Sequence, residues 1–301
     1  MSVLKTGVLV NANARRHKRG GALVRAYEAL TDEVAVTTSL DDLPKAVRAL
    51  QHRGVDTVAI SGGDGAVHRG LSAVVREWDG PLPSFALLPA GTMNTVARGL
   101  GVRGGPARVL ERVATGQGRR VVRRPIDAEQ GRVGFLVGTG FWARFLSEYD
   151  ARSGPGAVRA AGVLARGLAS TLIQGPFVRA LFESVPARVS LDGELVDGEQ
   201  FTMVAAGAVP SVGLGFAPFT DIDAAPNAFH ALAFQSRPAA VARQLPSLYR
   251  GGAPRPPDVG RRVQSLVIEA ERPFTWAIDG DVQPETDRLV LSPGPELTLL
   301  T

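Results

Sequence analysis

Val55-Asp56-Thr57-Val58-Ala59-Ile60-Ser61-Gly62-Gly63-Asp64-Gly65-Ala66-Val67-His68 decides the fold class of this 301-residue chain. The apolar, β-branched run from Val55 to Ile60 reads as a buried strand, and the glycines interrupt it. Val67, Leu71, Val74, Val75 and Trp78 then recur at helical spacing. A strand, a tight loop and a helix therefore follow one another. Glycine lets a ligand approach the loop backbone closely, and a helix N-terminus offers N–H groups that favour an anion. A nucleotide phosphate suits that place. Asp64 adds a condition, because a carboxylate among phosphate-binding amides repels the ligand unless a divalent cation, or a proton being removed, lies between them. That combination points to phosphoryl transfer. A strand-to-helix turn with glycines for geometry alone explains the same four residues, so the flanking sequence has to choose.

Upstream, residues 7–10 form an apolar strand that ends in Asn11-Ala12-Asn13-Ala14-Arg15-Arg16-His17-Lys18-Arg19-Gly20-Gly21. Arg15, Arg16 and Lys18 in such a loop hold phosphates or form a solvated charge run. Leu23, Tyr27, Leu30 and Val34 predict a helix, Val34 to Thr38 a strand, and Leu43, Val47 and Leu50 a second helix. Downstream, Pro81 and Pro83 break the chain before a strand at 85–88. That strand leads into Pro89-Ala90-Gly91-Thr92-Met93-Asn94-Thr95-Val96-Ala97-Arg98-Gly99-Leu100-Gly101. Here Thr92 and Asn94 bond a ligand or cap the following helix. Alternating strands and helices imply a parallel sheet with helices on both faces, whose ligands bind at the carboxyl ends of the strands. The three loops then open on one edge.

From Arg119 the pattern changes to strand-like runs at Leu136-Val137, Val185 to Leu191, Phe201 to Ala206 and Val263 to Ala270. Asp192-Gly193 and Asp197-Gly198 carry the hairpin-turn signal. The expected division is a nucleotide-binding α/β domain over 1–121 and a β-rich, sandwich-like substrate domain over 122–301. The span 157–182 reads as a helix that packs on a sheet or lies on membrane lipid. Gly251 to Pro257 reads as an exposed loop. Near the end, Phe274-Thr275-Trp276-Ala277-Ile278-Asp279-Gly280-Asp281-Val282 describes a hairpin, and its two carboxylates either serve the turn or take a hydroxyl proton from a substrate.

Composition narrows the classes. Hydrophobic residues make up 45% and charged residues 21%, and the net charge of +5 favours anionic partners. With three tyrosines and no basic run interleaved with aromatics, nucleic acid is not an expected partner. The absence of cysteine excludes disulfides and thiolate metal sites and fits a cytoplasmic setting. No apolar run reaches the roughly 18 residues of a membrane span. His17, His52, His68 and His230 have no metal-ligand spacing, and neither a serine-nucleophile elbow nor a lysine-bearing phosphate loop occurs.

Taken together, Gly62-Gly63-Asp64-Gly65, then Pro89-Ala90-Gly91-Thr92-Met93-Asn94, then Ile278-Asp279-Gly280-Asp281 resemble the diacylglycerol kinase catalytic-domain family, which includes bacterial diacylglycerol kinases and sphingosine kinases. The resemblance implies an N-terminal domain of the NAD kinase and phosphofructokinase type, a β-rich C-terminal domain, and ATP with Mg2+ meeting a lipid in the interdomain cleft. By position, Asn11, Thr38, Gly62, Gly63, Asp64, Gly65 and Ala66, then Gly91, Thr92 and Asn94, match the family's nucleotide contacts. Arg15 and Arg16 stand where the family carries small residues. Asp64 organises the magnesium, and Asp279 or Asp281 matches the general base, with Asp279 preferred because Asp281 replaces a longer glutamate. Ala66 replaces a threonine, and Thr95 an aspartate of the metal network. Pro226-Asn227 follows Phe216 to Asp223 where Asp-Gly is usual. The implied activity is ATP-dependent phosphorylation of a diacylglycerol or sphingoid-like hydroxyl, on lipid presented at a membrane surface by a cytoplasmic, peripherally attached enzyme, with a homodimer left open. Two alternatives stand beside it. One is a catalytically impaired nucleotide- or lipid-binding regulator; the other is a kinase of a soluble acceptor such as NAD.

Overall fold

The computed structural model describes residues 5–14, 21–150, 176–213, 216–222 and 227–301. Arg15, Arg16 and Lys18, most of the helix expected over 157–182, and Asp223 to Pro226 lie outside these residues. The chain divides into two units. The first contains residues 1–125, 130–134 and 294–301, and the second residues 126–129 and 135–293.

In the first unit, strands β1 (Thr6–Asn11), β2 (Val34–Thr37), β3 (Thr57–Gly62) and β4 (Ser84–Pro89) alternate with helices α1 (Ala22–Glu28), α2 (Asp42–His52) and α3 (Asp64–Glu77). Helices α4 (Thr95–Gly99) and α5 (Pro106–Ala114) and strand β5 (Arg120–Arg123) follow. The sheet order is β2-β1-β3-β4, then the C-terminal strand Leu297–Leu300, then β5. All of these pairs are parallel except the last. β1 and β3 are apolar and buried throughout most of their length, as the middle strands of a sheet covered on both faces must be. A right-handed crossover from β1 out to β2, and another from β2 back past β1 to β3, put α1 and α2 on opposite faces. Accordingly α2 packs on α3, and α1 on α5. Gly70 lets α3 lie close on β3, since a Cβ there would come within 2.9 Å of the Ile60 side chain.

A boundary at residue 122 omits one return of the chain. Leu297 and Leu299 are buried in the first unit's sheet, between β4 and β5. A strand of four residues gains its place from partners more than 170 positions away, which no local pattern encodes.

The second unit is antiparallel. Its strands run in the order Val259–Val263, Phe229–Phe234, Met203–Gly207, Leu136–Gly140, Leu266–Ile278, Asp281–Pro293, Ile126–Asp127. The two 13-residue strands form a long hairpin whose register shifts between Glu269 and Trp276. On one side of the shift, Leu266 to Glu269 pair with Arg188–Leu191; on the other, Trp276 to Ile278 pair with Val137 to Thr139. Such bulges bend a strand and let it serve two neighbours. Trp276, Phe135, Phe201, Phe219 and Phe229 fill the core. Asp192-Gly193 closes a hairpin as expected, with both residues at positive φ. Asp197-Gly198 does not, because the strands on either side pair elsewhere. The strand expected over 263–270 is cut at Gln264-Ser265, whose two N–H groups donate to Asp192 Oδ1, each at 2.8 Å. Among the described residues no helix is long and apolar enough to cross a membrane.

Candidate functional site

β1 has β2 on one side and β3 on the other, so the winding of the sheet reverses there, and a ligand crevice belongs at the carboxyl ends of these strands. A cavity opens at that point. Asn11 and Asn13 line it after β1, Thr37 to Leu40 after β2, and Ser61, Ala66, Arg69 and Gly70 from β3 and α3. Asn11 Oδ1 accepts from the Asn13 N–H at 2.9 Å, and Asn13 Nδ2 donates to the Thr38 carbonyl at 2.9 Å. The opposite wall hangs on Asp42. Its Oδ2 accepts from the Thr38 N–H at 2.8 Å, the Thr38 hydroxyl at 3.0 Å and the Ser39 N–H at 2.9 Å. The Thr38 amide, then the Ser39 amide, hold the Asp42 carboxyl down to about 2. Asp42→Ala is expected to accelerate amide hydrogen exchange at Thr38 and Ser39 by more than about tenfold, since local opening follows the bonds that restrain it. Unchanged exchange would show that this carboxylate does not hold the wall.

The two glycine loops touch backbone to backbone. The Gly62 carbonyl accepts from the N–H groups of Ala90 at 2.9 Å and Gly91 at 3.0 Å. A Cβ on Gly91 would lie 2.3 Å from Gly63 Cα, and one on Gly62 would lie 2.3 Å from the Ala66 Cβ. Close approach, not a special φ, excludes side chains at these positions. Gly91→Ala should therefore cost about 1–3 kcal/mol as the loops part, read as a lower midpoint in urea; a midpoint equal to wild type would refute the contact. Asn94, itself at φ 50, closes the second loop: its Oδ1 accepts from the Gly91 N–H at 2.9 Å and its Nδ2 donates to the Gly91 carbonyl at 3.1 Å.

Asp64 spans the loops. Its Oδ2 accepts from the Thr95 N–H at 3.0 Å and its Oδ1 from the Val96 N–H at 2.9 Å, so one carboxylate at the start of α3 caps α4. Burial pushes this carboxyl above the ordinary aspartate value, against the pull of those amides and of the Arg98 charge. The main chain of Thr95 supplies the contact, so its side chain is immaterial to this bridge. Gly65 lies in the first turn of α3, and Thr92 sits partly exposed between β4 and α4.

The second unit holds Asp279 and Asp281. Asp279 takes φ 45 and Gly280 φ 80 at the tip of the long hairpin. Asp279 is 1% exposed. Its Oδ1 accepts from the N–H groups of Phe135 at 2.9 Å and Leu136 at 2.8 Å, and its Oδ2 also lies 3.0 Å from the Phe135 N–H. Asp281, two residues on, opens the returning strand and is partly exposed.

The structure thus brings Asn11, Thr38 and Ala66 to one cavity, joins Gly62 and Gly63 to Gly91, and joins Asp64 to the Thr95 and Val96 amides, while Asn94 bonds Gly91 within the second loop. Sequence reasoning missed Asn13, Ser39, Asp42 and Arg69. Ser39-Leu40-Asp41-Asp42 has the spacing of a helix capping box, and Arg69 shares the helix face of Ala66 and Gly70, so both signals were present.

Residues 5–122 match the diacylglycerol kinase catalytic domain family. This stretch belongs to that family. The probable lipid kinase YegS of Salmonella arizonae and that of Salmonella heidelberg are each 27% identical over 121 residues, which is 40% of this chain and 40% of theirs. The aligned part therefore spans less than half the length of these relatives. A crystal structure described as a diacylglycerol kinase from Bacillus anthracis superposes with a TM-score of 0.69 at 18% identity, covering all of this chain and 98% of that one. A second from the same organism gives 0.70 at 15%. At such identities the likeness establishes the fold, and it extends beyond the catalytic-domain match into the β-rich part.

Proposed function

We propose that the chain is an ATP-dependent kinase that phosphorylates a lipid hydroxyl. The observation that carries this reading is the Asp64 bridge between two glycine loops, placed beside a polar cavity at the switch point of a parallel sheet. Backbone N–H groups of the loops cradle phosphates, and the walls fixed by Asn13 and Asp42 take the nucleoside. In the transfer, the acceptor oxygen forms a bond to the γ-phosphorus as the bond to the β-phosphate oxygen breaks, and ADP leaves. The hydroxyl proton passes to a carboxylate, for which we assign Asp281, because both oxygens of Asp279 hold amides. A magnesium ion bound with the nucleotide would supply charge neutralisation on the phosphate oxygens. Asp64, at the head of α3, is the carboxylate that would hold the ion, through the lone pairs that its two amide bonds leave.

The test is incubation of the purified chain with labelled ATP, magnesium and micelles of diacylglycerol, ceramide, sphingosine or monoacylglycerol, with label followed into the organic phase. Labelled lipid is expected. Label in NAD instead would mark a soluble acceptor, and nucleotide binding without any transfer would mark a regulator; either result replaces the reading.

A further inference from the structure

Between positions 98 and 124 the chain carries eight arginines against one acid, Glu111, a net charge of +7 in a protein whose total is +5. The remainder of the chain is therefore net negative. An overall preference for arginine over lysine does not explain this, since such a preference would spread along the sequence. The structure places Arg103, Arg108, Arg112, Arg119, Arg120 and Arg123 on the α5 and β5 side of the first unit, whereas Arg98 acts on Asp64 and Arg124 pairs with Glu296 at 3.5 Å. Helix α5 buries Val109, Leu110 and Val113 and turns Arg108 and Arg112 outward, one turn apart. The Arg112 guanidinium reaches the Arg103 carbonyl at 2.8 Å. Around the loop between α4 and α5, a Cβ on Gly104 would sit 3.5 Å from Arg112 Nη1, and one on Gly101 would sit 3.5 Å from Arg119 Nη2. Arg120 continues the row on β5, the edge strand, beside Val122, which is 43% exposed. The cavity at the carboxyl ends of β1, β2 and β3 lies toward the other edge of this sheet.

We propose that this arginine surface docks the protein on an anionic lipid bilayer. Guanidinium groups bind phosphate in two-pronged fashion and stay charged at every accessible pH. A cluster of them, with the exposed Val122 beside it, matches a layer of phosphate headgroups. No Phe, Tyr or Trp occurs from 98 to 124, so the surface lacks the stacking groups that a single-stranded nucleic acid uses. The proposal goes beyond the kinase reading and needs no turnover.

The experiment is co-sedimentation of the full chain, without ATP, with vesicles of phosphatidylcholine alone and of phosphatidylcholine with about one-third phosphatidylglycerol. Each basic residue near an anionic leaflet multiplies binding about fivefold, so the triple variant Arg108→Gln, Arg119→Gln, Arg120→Gln should bind anionic vesicles about a hundredfold more weakly. The variant Arg188→Gln, Arg243→Gln, Arg272→Gln, which removes the same charge from exposed sites of the second unit, should bind like wild type. Binding should vanish on neutral vesicles and fall as salt rises. Failure of wild type to sediment with anionic vesicles, equal weakening by both triple variants, or displacement by duplex DNA at equal phosphate would each overturn the proposal. Should the first variant not fold, hydrogen exchange on wild type decides: vesicles are expected to protect residues 101–122, and no protection there overturns it. Vesicle binding without lipid phosphorylation would leave the docking surface standing and remove the kinase.

Discussion

Asp279→Ala is expected to destabilise the protein by about 4 kcal/mol, whereas Asp279→Asn should cost only about 1–2 kcal/mol. The carboxylate is buried and accepts the N–H groups of Phe135 and Leu136, while the Asp279 N–H itself donates to the Leu136 carbonyl at 2.8 Å. Alanine would leave both N–H groups without that acceptor and would have to hold φ 45 with no side chain to compensate. Asparagine keeps one carbonyl oxygen where Oδ1 lies and is at ease in the left-handed region. Urea denaturation of the two variants checks the gradient. A loss below about 1 kcal/mol for alanine would mean that the hairpin tip is held by something other than this carboxylate. A purely catalytic Asp279 predicts the reverse pattern, in which turnover falls and the midpoint stays.

The α/β half was legible because its signals are local. β3, its glycine loop and α3 follow from a buried apolar run and a 3.6-residue repeat, and the same grammar yields α2 and β4. What sequence could not supply was pairing over distance. The strand at 297–300 looks like any short apolar end, and only the sheet shows that it lies between β4 and β5. Asp197-Gly198 has hairpin chemistry, yet Gln200-Phe201 pairs with Val185-Pro186, so the local turn signal lost to a remote partner. The helix Pro238–Tyr249 contains Pro246, a residue that argues against a helix interior. At the candidate site the glycines were found for a partly different reason than the one that holds them. Phosphate approach suggested them, whereas Gly63 and Gly91 are fixed by each other's backbone. The motif containing Asp64 was legible, but the carboxylate's grip on the Thr95 and Val96 amides was not, because α4 lies about 30 residues downstream.

Asp281→Asn is expected to lower lipid-kinase turnover by about 10²–10⁴-fold, the range that a positioned general base contributes, with little change in the urea midpoint. The contrast with Asp279 follows from burial. Asp279 spends its carboxylate on the protein's own amides in a site closed to water, and a base engaged in that way must break those bonds before it takes a proton. Asp281 stands at the head of the returning strand with part of its surface in solvent, where a proton can be accepted and passed on. Asp281→Glu keeps the carboxyl on a side chain longer by one methylene and should retain far more turnover than the asparagine variant. Nucleotide affinity should change little in all of these variants, because the described residues that line the cavity all belong to the first unit. The decisive comparison is turnover at saturating ATP against the midpoint for Asp279→Asn, Asp281→Asn and Asp281→Glu. Full activity in Asp281→Asn would place the proton acceptor elsewhere, while loss of turnover in Asp279→Asn without loss of stability would return the role to Asp279.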